Sequence, residues 1–105
     1  MPDAESLIAA MDARGASLRG LGYRVRFDLT DSGEAILLDG TGGLAEIRAA
    51  AGEEAADTVI SLSSEDLAKL IAGRLSPMLA FSTGRLRIEG SMGVALKLAS
   101  LLDED

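Results

Sequence analysis

The stretch from Met92 to Leu102 constrains this chain more than any other. Read as a helix at about 100° per residue, it gathers Gly93, Lys97 and Ser100 into one narrow polar stripe. Met92, Val94, Ala95, Leu96, Leu98, Ala99, Leu101 and Leu102 fill the remaining arc of about 220°. A helix that packs on one surface needs an apolar width of only about 100°. The excess must be buried by a second protein layer, a partner subunit, or an apolar ligand held between helix and sheet. The stretch is far shorter than the ~20 residues that span a bilayer.

The residues before it are clearly punctuated. Ser76-Pro77 predicts a helix start, an N-cap followed by proline at the first helical position, and Thr83-Gly84 ends that short helix. Arg85 to Glu89 alternates polar and apolar, as a half-buried strand does, and Gly90 turns the chain.

From the N-terminus, Asp3 is placed to cap a helix whose Ala4, Leu7, Ile8, Met11 and Leu18 keep helical spacing, with Gly15, Gly20 and Gly22 marking its exit. Tyr23 to Leu29 alternates strictly, with Tyr23, Val25, Phe27 and Leu29 on one face. Asp31-Ser32-Gly33 supplies a hairpin turn. Ala35 to Leu38 forms a second strand, ended by Asp39-Gly40-Thr41-Gly42-Gly43, and Leu44 to Ala49 forms a third with Glu46 and Arg48 outward. Gly52-Glu53-Glu54 turns the chain into a fourth strand, Thr58 to Leu62. Ser63-Ser64-Glu65-Asp66 opens a helix with a hydroxyl cap and first-turn acids; Leu67, Leu70 and Ile71 are its apolar stripe, and Gly73 closes it. Hairpin-length connections make the first three strands an antiparallel meander. The order helix, four strands, two helices, strand, helix predicts a two-layer α+β domain, one sheet face wet and the other covered by helices.

Composition narrows the chemistry. A chain of 105 residues supports one core and one domain, residues 1–105. Aromatic residues are only 3%, so that core is aliphatic and methionine-based, hence adaptable. Cysteine and histidine are both absent, which removes thiolate sites, disulfides, the usual general base and the usual zinc ligand. The net charge of −7 argues against nucleic acid and against a strong polybasic dock on anionic membranes.

Other constellations favour structural readings. Asp39 to Gly43 lacks the Gly-Lys-Ser/Thr of a phosphate loop and leads into a strand, so it reads as a turn. Ser61, Ser63 and Ser64 beside Glu65 and Asp66 read as a helix cap, with no base placed to activate them. Asp31 with Glu34, and Glu53 with Glu54, are too few for a calcium site, and Asp103-Glu104-Asp105 reads as a solvated tail. Arg24, Arg26, Arg85 and Arg87 are expected on the open sheet face. There ordinary pairing with Asp28, Glu46 or Glu89 is the favoured reading, and a weak contact with lipid headgroups or a partner the alternative. The residues alone leave a dimer interface and a ligand cavity equally open as the use of the apolar excess around Met78, Phe81, Met92 and Leu98.

The run Leu75 to Gly90, followed by Ala95-Leu96-Lys97-Leu98, resembles the C-terminal signature of the type-two sterol carrier family. Ala56 to Leu67, followed by Gly73, resembles the same family's strand-then-helix segment, so the resemblance runs from about Tyr23 to Leu102. It implies a five-stranded, mostly antiparallel sheet covered on one face by helices, with an apolar tunnel between the layers. It implies carriage of a fatty acid, acyl-CoA, sterol-like molecule or phospholipid, without catalysis or cofactor. The tunnel lining is expected from Met78, Leu79, Phe81, Leu86, Ile88, Met92, Ala95, Leu96 and Leu98, with Phe27, Ile60, Leu67, Leu70 and Ile71 in a second tier. Gly84, Gly90 and Gly93 are expected to let the C-terminal part move. The protein is expected to be a monomer or weak homodimer with transient membrane contact. The chain ends Leu-Leu-Asp-Glu-Asp where eukaryotic members often carry a peroxisomal Ser-Lys-Leu address, so a bacterial cytoplasm is the expected setting. The alternative is an interaction module, for a second copy or a lipid-modifying enzyme, using the apolar C-terminal helix.

Overall fold

The structure, a computed structural model, describes residues 3–42, 45–50 and 54–103. Its helices begin where capping chemistry places them. Helix α1 (Ala4–Asp12) starts at Asp3, whose carboxylate accepts the Ser6 backbone N–H at 2.8 Å. Helix α3 (Ser64–Ile71) starts at Ser63, whose hydroxyl accepts the Asp66 N–H at 3.1 Å. Helix α4 (Pro77–Ser82) has Ser76 as its cap and Pro77 in its first turn. Helix α5 (Met92–Asp103) completes the chain as described.

One helix differs from expectation. The first breaks after Asp12, and a short α2 (Gly15–Leu18) follows it. The turn between them carries Arg14, whose guanidinium donates to the carbonyl of Ile71 at 2.6 Å and to that of Leu102 at 2.8 Å. It thereby caps the C-terminal ends of α3 and α5 together.

The five strands are β1 (Arg24–Leu29), β2 (Ala35–Asp39), β3 (Glu46–Ala49), β4 (Thr58–Leu62) and β5 (Arg87–Gly90), in the order β3-β2-β1-β4-β5. The β1–β2, β2–β3 and β4–β5 pairs are antiparallel, and β1–β4 is parallel. The expected meander and the mostly antiparallel α+β sheet are both present. Register aligns Ile36, Phe27, Ile60 and Ile88 in one row across β2, β1, β4 and β5. This row faces the helices, and its residues share one core with Leu7 and Met11 of α1, Leu67 of α3 and Leu98 of α5. Gly43, Leu44, Gly52, Glu53, Glu104 and Asp105, named in the sequence reading, lie outside the described residues, whereas Asp103, read as tail, is the last residue of α5.

The outer sheet face is not simply wet. Strands β3 and β4 run parallel, with β2 and β1 between them. Glu54 lies over the outer face, where its carboxylate takes both Nη atoms of Arg48 at 2.6 and 2.7 Å and its carbonyl accepts from Arg26 at 3.3 Å. Leu37 sits in register between Arg26 and Arg48 and is 0% exposed, although it points away from the main core. Arg24 pairs with Asp39 at 3.2 Å and Arg26 with Asp28 at 2.7 Å. Arg87 does lie on this face, opposite Ser61, but Arg85 precedes β5 and is not part of the strand. Tyr23 likewise precedes β1; it is exposed, with the Lys97 ammonium 5.4 Å from its ring centre.

At the end of β5, Gly90 has φ +97° and an added Cβ would meet the Asp57 carbonyl at 2.7 Å. Only glycine fits there, because the left-handed backbone and the close approach of the chain entering β4 both exclude a side chain.

Candidate functional site

The row of inward side chains on the sheet supplies a floor that the helices do not fill. Phe27, Ile60 and Ile88 form the base of a cavity of about 250 Å³. Helix α5 forms one wall through Met92, Ala95, Leu96, Leu98, Ala99 and Leu102. The other wall is Leu70 of α3, Pro77, Met78 and Phe81 of α4, and Leu86. Every lining side chain is hydrocarbon or thioether. Met78, Phe81, Met92 and Leu96 are also partly exposed and form the mouth.

Eleven of the fourteen residues expected to line such a space do so. Three do not. Leu67 and Ile71 are buried in the core, and Leu79 points out of α4 into solvent at 62% exposure. Pro77, Ala99 and Leu102 line the cavity without having been singled out. Ala99 and Leu102 follow Ala95 and Leu98 at four-residue spacing, so the wheel of α5 already carried that signal. Pro77 was read only as a helix start.

The apolar excess of α5 is thereby accounted for. Val94, Ala95, Leu98 and Leu102 are buried within this chain, and Met92 and Leu96 stand at the mouth.

The perturbed acids belong to caps and turns, away from the lining. The Ser64 hydroxyl and N–H, at 2.7 and 3.1 Å, hold the Asp31 carboxyl below its ordinary value. Asp39 is lowered chiefly by the Thr41 hydroxyl, then the Thr41 N–H and Arg24, which makes Asp39 to Gly42 a side-chain-braced turn. The serines beside Glu65 are spent likewise: Ser63 caps α3 and Ser64 binds Asp31. Among the described residues no group of carboxylates could hold a metal ion. No helix among them is long and apolar enough to cross a membrane.

A five-stranded α+β unit whose helix–sheet interface opens into a wholly apolar cavity is built to enclose an apolar molecule. The model of the SCP-2 sterol transfer family matches residues 4–103, and the chain belongs to that lipid-transfer family. The resemblance read from Tyr23 to Leu102 is thus borne out and extends through α1.

A Xenopus laevis protein, hydroxysteroid dehydrogenase-like protein 2, is 47% identical over 49 residues, which are 47% of this chain and 12% of that protein. The chain therefore corresponds to a small part of such relatives. The solution structure of palmitated SCP2L2 from Aedes aegypti shares the fold with a TM-score of 0.75 and 19% identity, covering 98% of this chain and 96% of that one. The solution structure of sterol carrier protein domain 2 of Helicoverpa armigera superposes with a TM-score of 0.65 and 28% identity, over 95% of this chain and 73% of that one.

Proposed function

We propose that residues 1–105 act as one non-catalytic lipid-binding unit, which holds the apolar part of a lipid between helices and sheet and carries it through water. The observation that carries this reading is the cavity lining, fourteen apolar side chains with no ionisable or nucleophilic group among them. Burial is then the whole of what the site supplies. At about 0.8 kcal/mol per CH₂, a sixteen-carbon chain gains roughly 12 kcal/mol gross. Association costs of at least ~4 kcal/mol still leave micromolar or tighter binding.

The cavity of about 250 Å³ lies just under the ~300–1,000 Å³ common for ligand sites. A long chain therefore enters by parting the Met78, Phe81, Met92 and Leu96 side chains at the mouth and extending the cavity toward a tunnel. Methionine suits that task, being unbranched and easily repacked. A fatty acid or acyl-CoA fits this account best, because its polar end can remain at the open mouth. The palmitated relative from Aedes aegypti supports a fatty acyl ligand.

Native mass spectrometry of gently purified protein, followed by solvent extraction, tests the reading. One lipid-sized mass per chain is expected. A bare protein that also ignores a fluorescent fatty acid would overturn it.

A further inference from the structure

Leu79 is the most exposed large apolar side chain described, at 62%, yet it does not line the cavity. Its neighbours share the anomaly. Of the six large apolar side chains left exposed among the described residues, five (Met78, Leu79, Phe81, Met92 and Leu96) belong to α4 and α5. Only Ala80 among the six residues of α4 is buried. An exposed apolar cluster of this kind marks a surface that meets something else.

Charge says what it meets. Between Ala72 and Leu102 the basic residues are Arg74, Arg85, Arg87 and Lys97, and the one acid is Glu89. That segment is net +3 in a chain of net −7, so the remaining residues carry −10. The basic groups also differ in pairing. Arg24, Arg26, Arg48 and Lys69 each hold a carboxylate, whereas Arg74, Arg85 and Arg87, like Arg19 outside the segment, are exposed and have no carboxylate partner among the described residues. Arg74 lies two residues before the Ser76 cap of α4 and Arg85 two residues after its Thr83 end, so available cations bracket the apolar helix.

We propose that this face docks the protein on an anionic bilayer, with Leu79 and its α4 neighbours entering the headgroup region. Arg74 and Arg85 would then hold lipid phosphates on either side, their aliphatic stems lying along the apolar layer. The inference rests on the carrier reading, since it turns the cavity mouth toward the membrane that supplies or receives the lipid. A second copy is a poor occupant, because pairing this face with itself brings the Arg74 and Arg85 cations of both copies together. The acidic remainder is repelled by the same membrane, so the contact is oriented and short-lived, as exchange requires.

The test compares the wild-type chain with Leu79→Ser and with Arg74→Glu/Arg85→Glu. Sedimentation is measured with phosphatidylcholine vesicles with and without phosphatidylglycerol, alongside transfer of a fluorescent fatty acid to them. Both variants should bind the probe in solution as the wild type does. Association with phosphatidylglycerol vesicles and the transfer rate should fall by about tenfold or more. Raising salt should erase the wild type's advantage. Undiminished association in both variants, or none in the wild type, would overturn the docking face. Self-association that disappears in Leu79→Ser, with no vesicle binding, would assign the face to a second copy and also overturn it. Failure of wild-type protein to take up the probe in solution is a separate result, and it counts against the carrier reading.

Discussion

Asp31 illustrates how one side chain ties two elements together. It leaves the β1–β2 turn and accepts both the hydroxyl and the N–H of Ser64, a residue only 1% exposed at the start of α3. These bonds favour the carboxylate, so its pKa in the folded state lies below the ordinary 3.8. A lowered folded value means that the contribution to stability is complete above 3.8 and is lost as pH falls through the folded value. Asp31→Asn should therefore lower the melting temperature at neutral pH. The gap from wild type should narrow as pH drops below 3.8, and a gap independent of pH would refute the assignment. The sequence marked Asp31 as a turn residue correctly. Its partner lies 33 residues away, and no local pattern announces such a bond.

Among the elements, the helix starts were the most legible. Asp3, Ser63 and Ser76-Pro77 satisfy backbone N–H groups within the next turn, a requirement local to each helix. The ends of α3 and α4 were legible too, closed by Gly73 and Gly84 in the left-handed region. No local pattern announced the further cap that Arg14 places on α3 and α5 from a distant part of the chain. Replacing Arg14 with methionine strips a charged donor from both carbonyls and should cost about 2 kcal/mol. Arg14→Lys should recover less than half of that, since a point-like ammonium lacks the planar fork that reaches both ends. Denaturant midpoints at unchanged slope measure both variants. Helix α5 answers a question that its wheel only posed. Its width is divided between core, through Val94, and cavity wall, through Met92, Ala95, Leu96 and Leu98.

For the whole molecule, the cavity predicts a linkage between ligand and stability. A lipid that binds only the folded chain, at a free concentration 100 times its Kd, adds about 2.7 kcal/mol. That should raise Tm by roughly 10–20 °C in a domain of this size. Ala99→Phe projects a ring into the cavity from the α5 wall and should reduce fluorescent fatty acid affinity at least ~10-fold while abolishing the Tm shift. An undiminished shift in that variant would show that lipid binds elsewhere.

Alternation from Arg24 to Leu29, the caps of α1, α3 and α4, and the all-round apolarity of α5 follow from spacing along the chain, and the sequence alone determined them. The parallel pairing of β1 with β4 was settled only in the tertiary structure. So were the burial of Leu37 on the outer sheet face and the departure of Leu79 from the cavity. Each depends on where a distant segment comes to rest. Periodicity states which faces need cover, and only the packed fold decides what covers them.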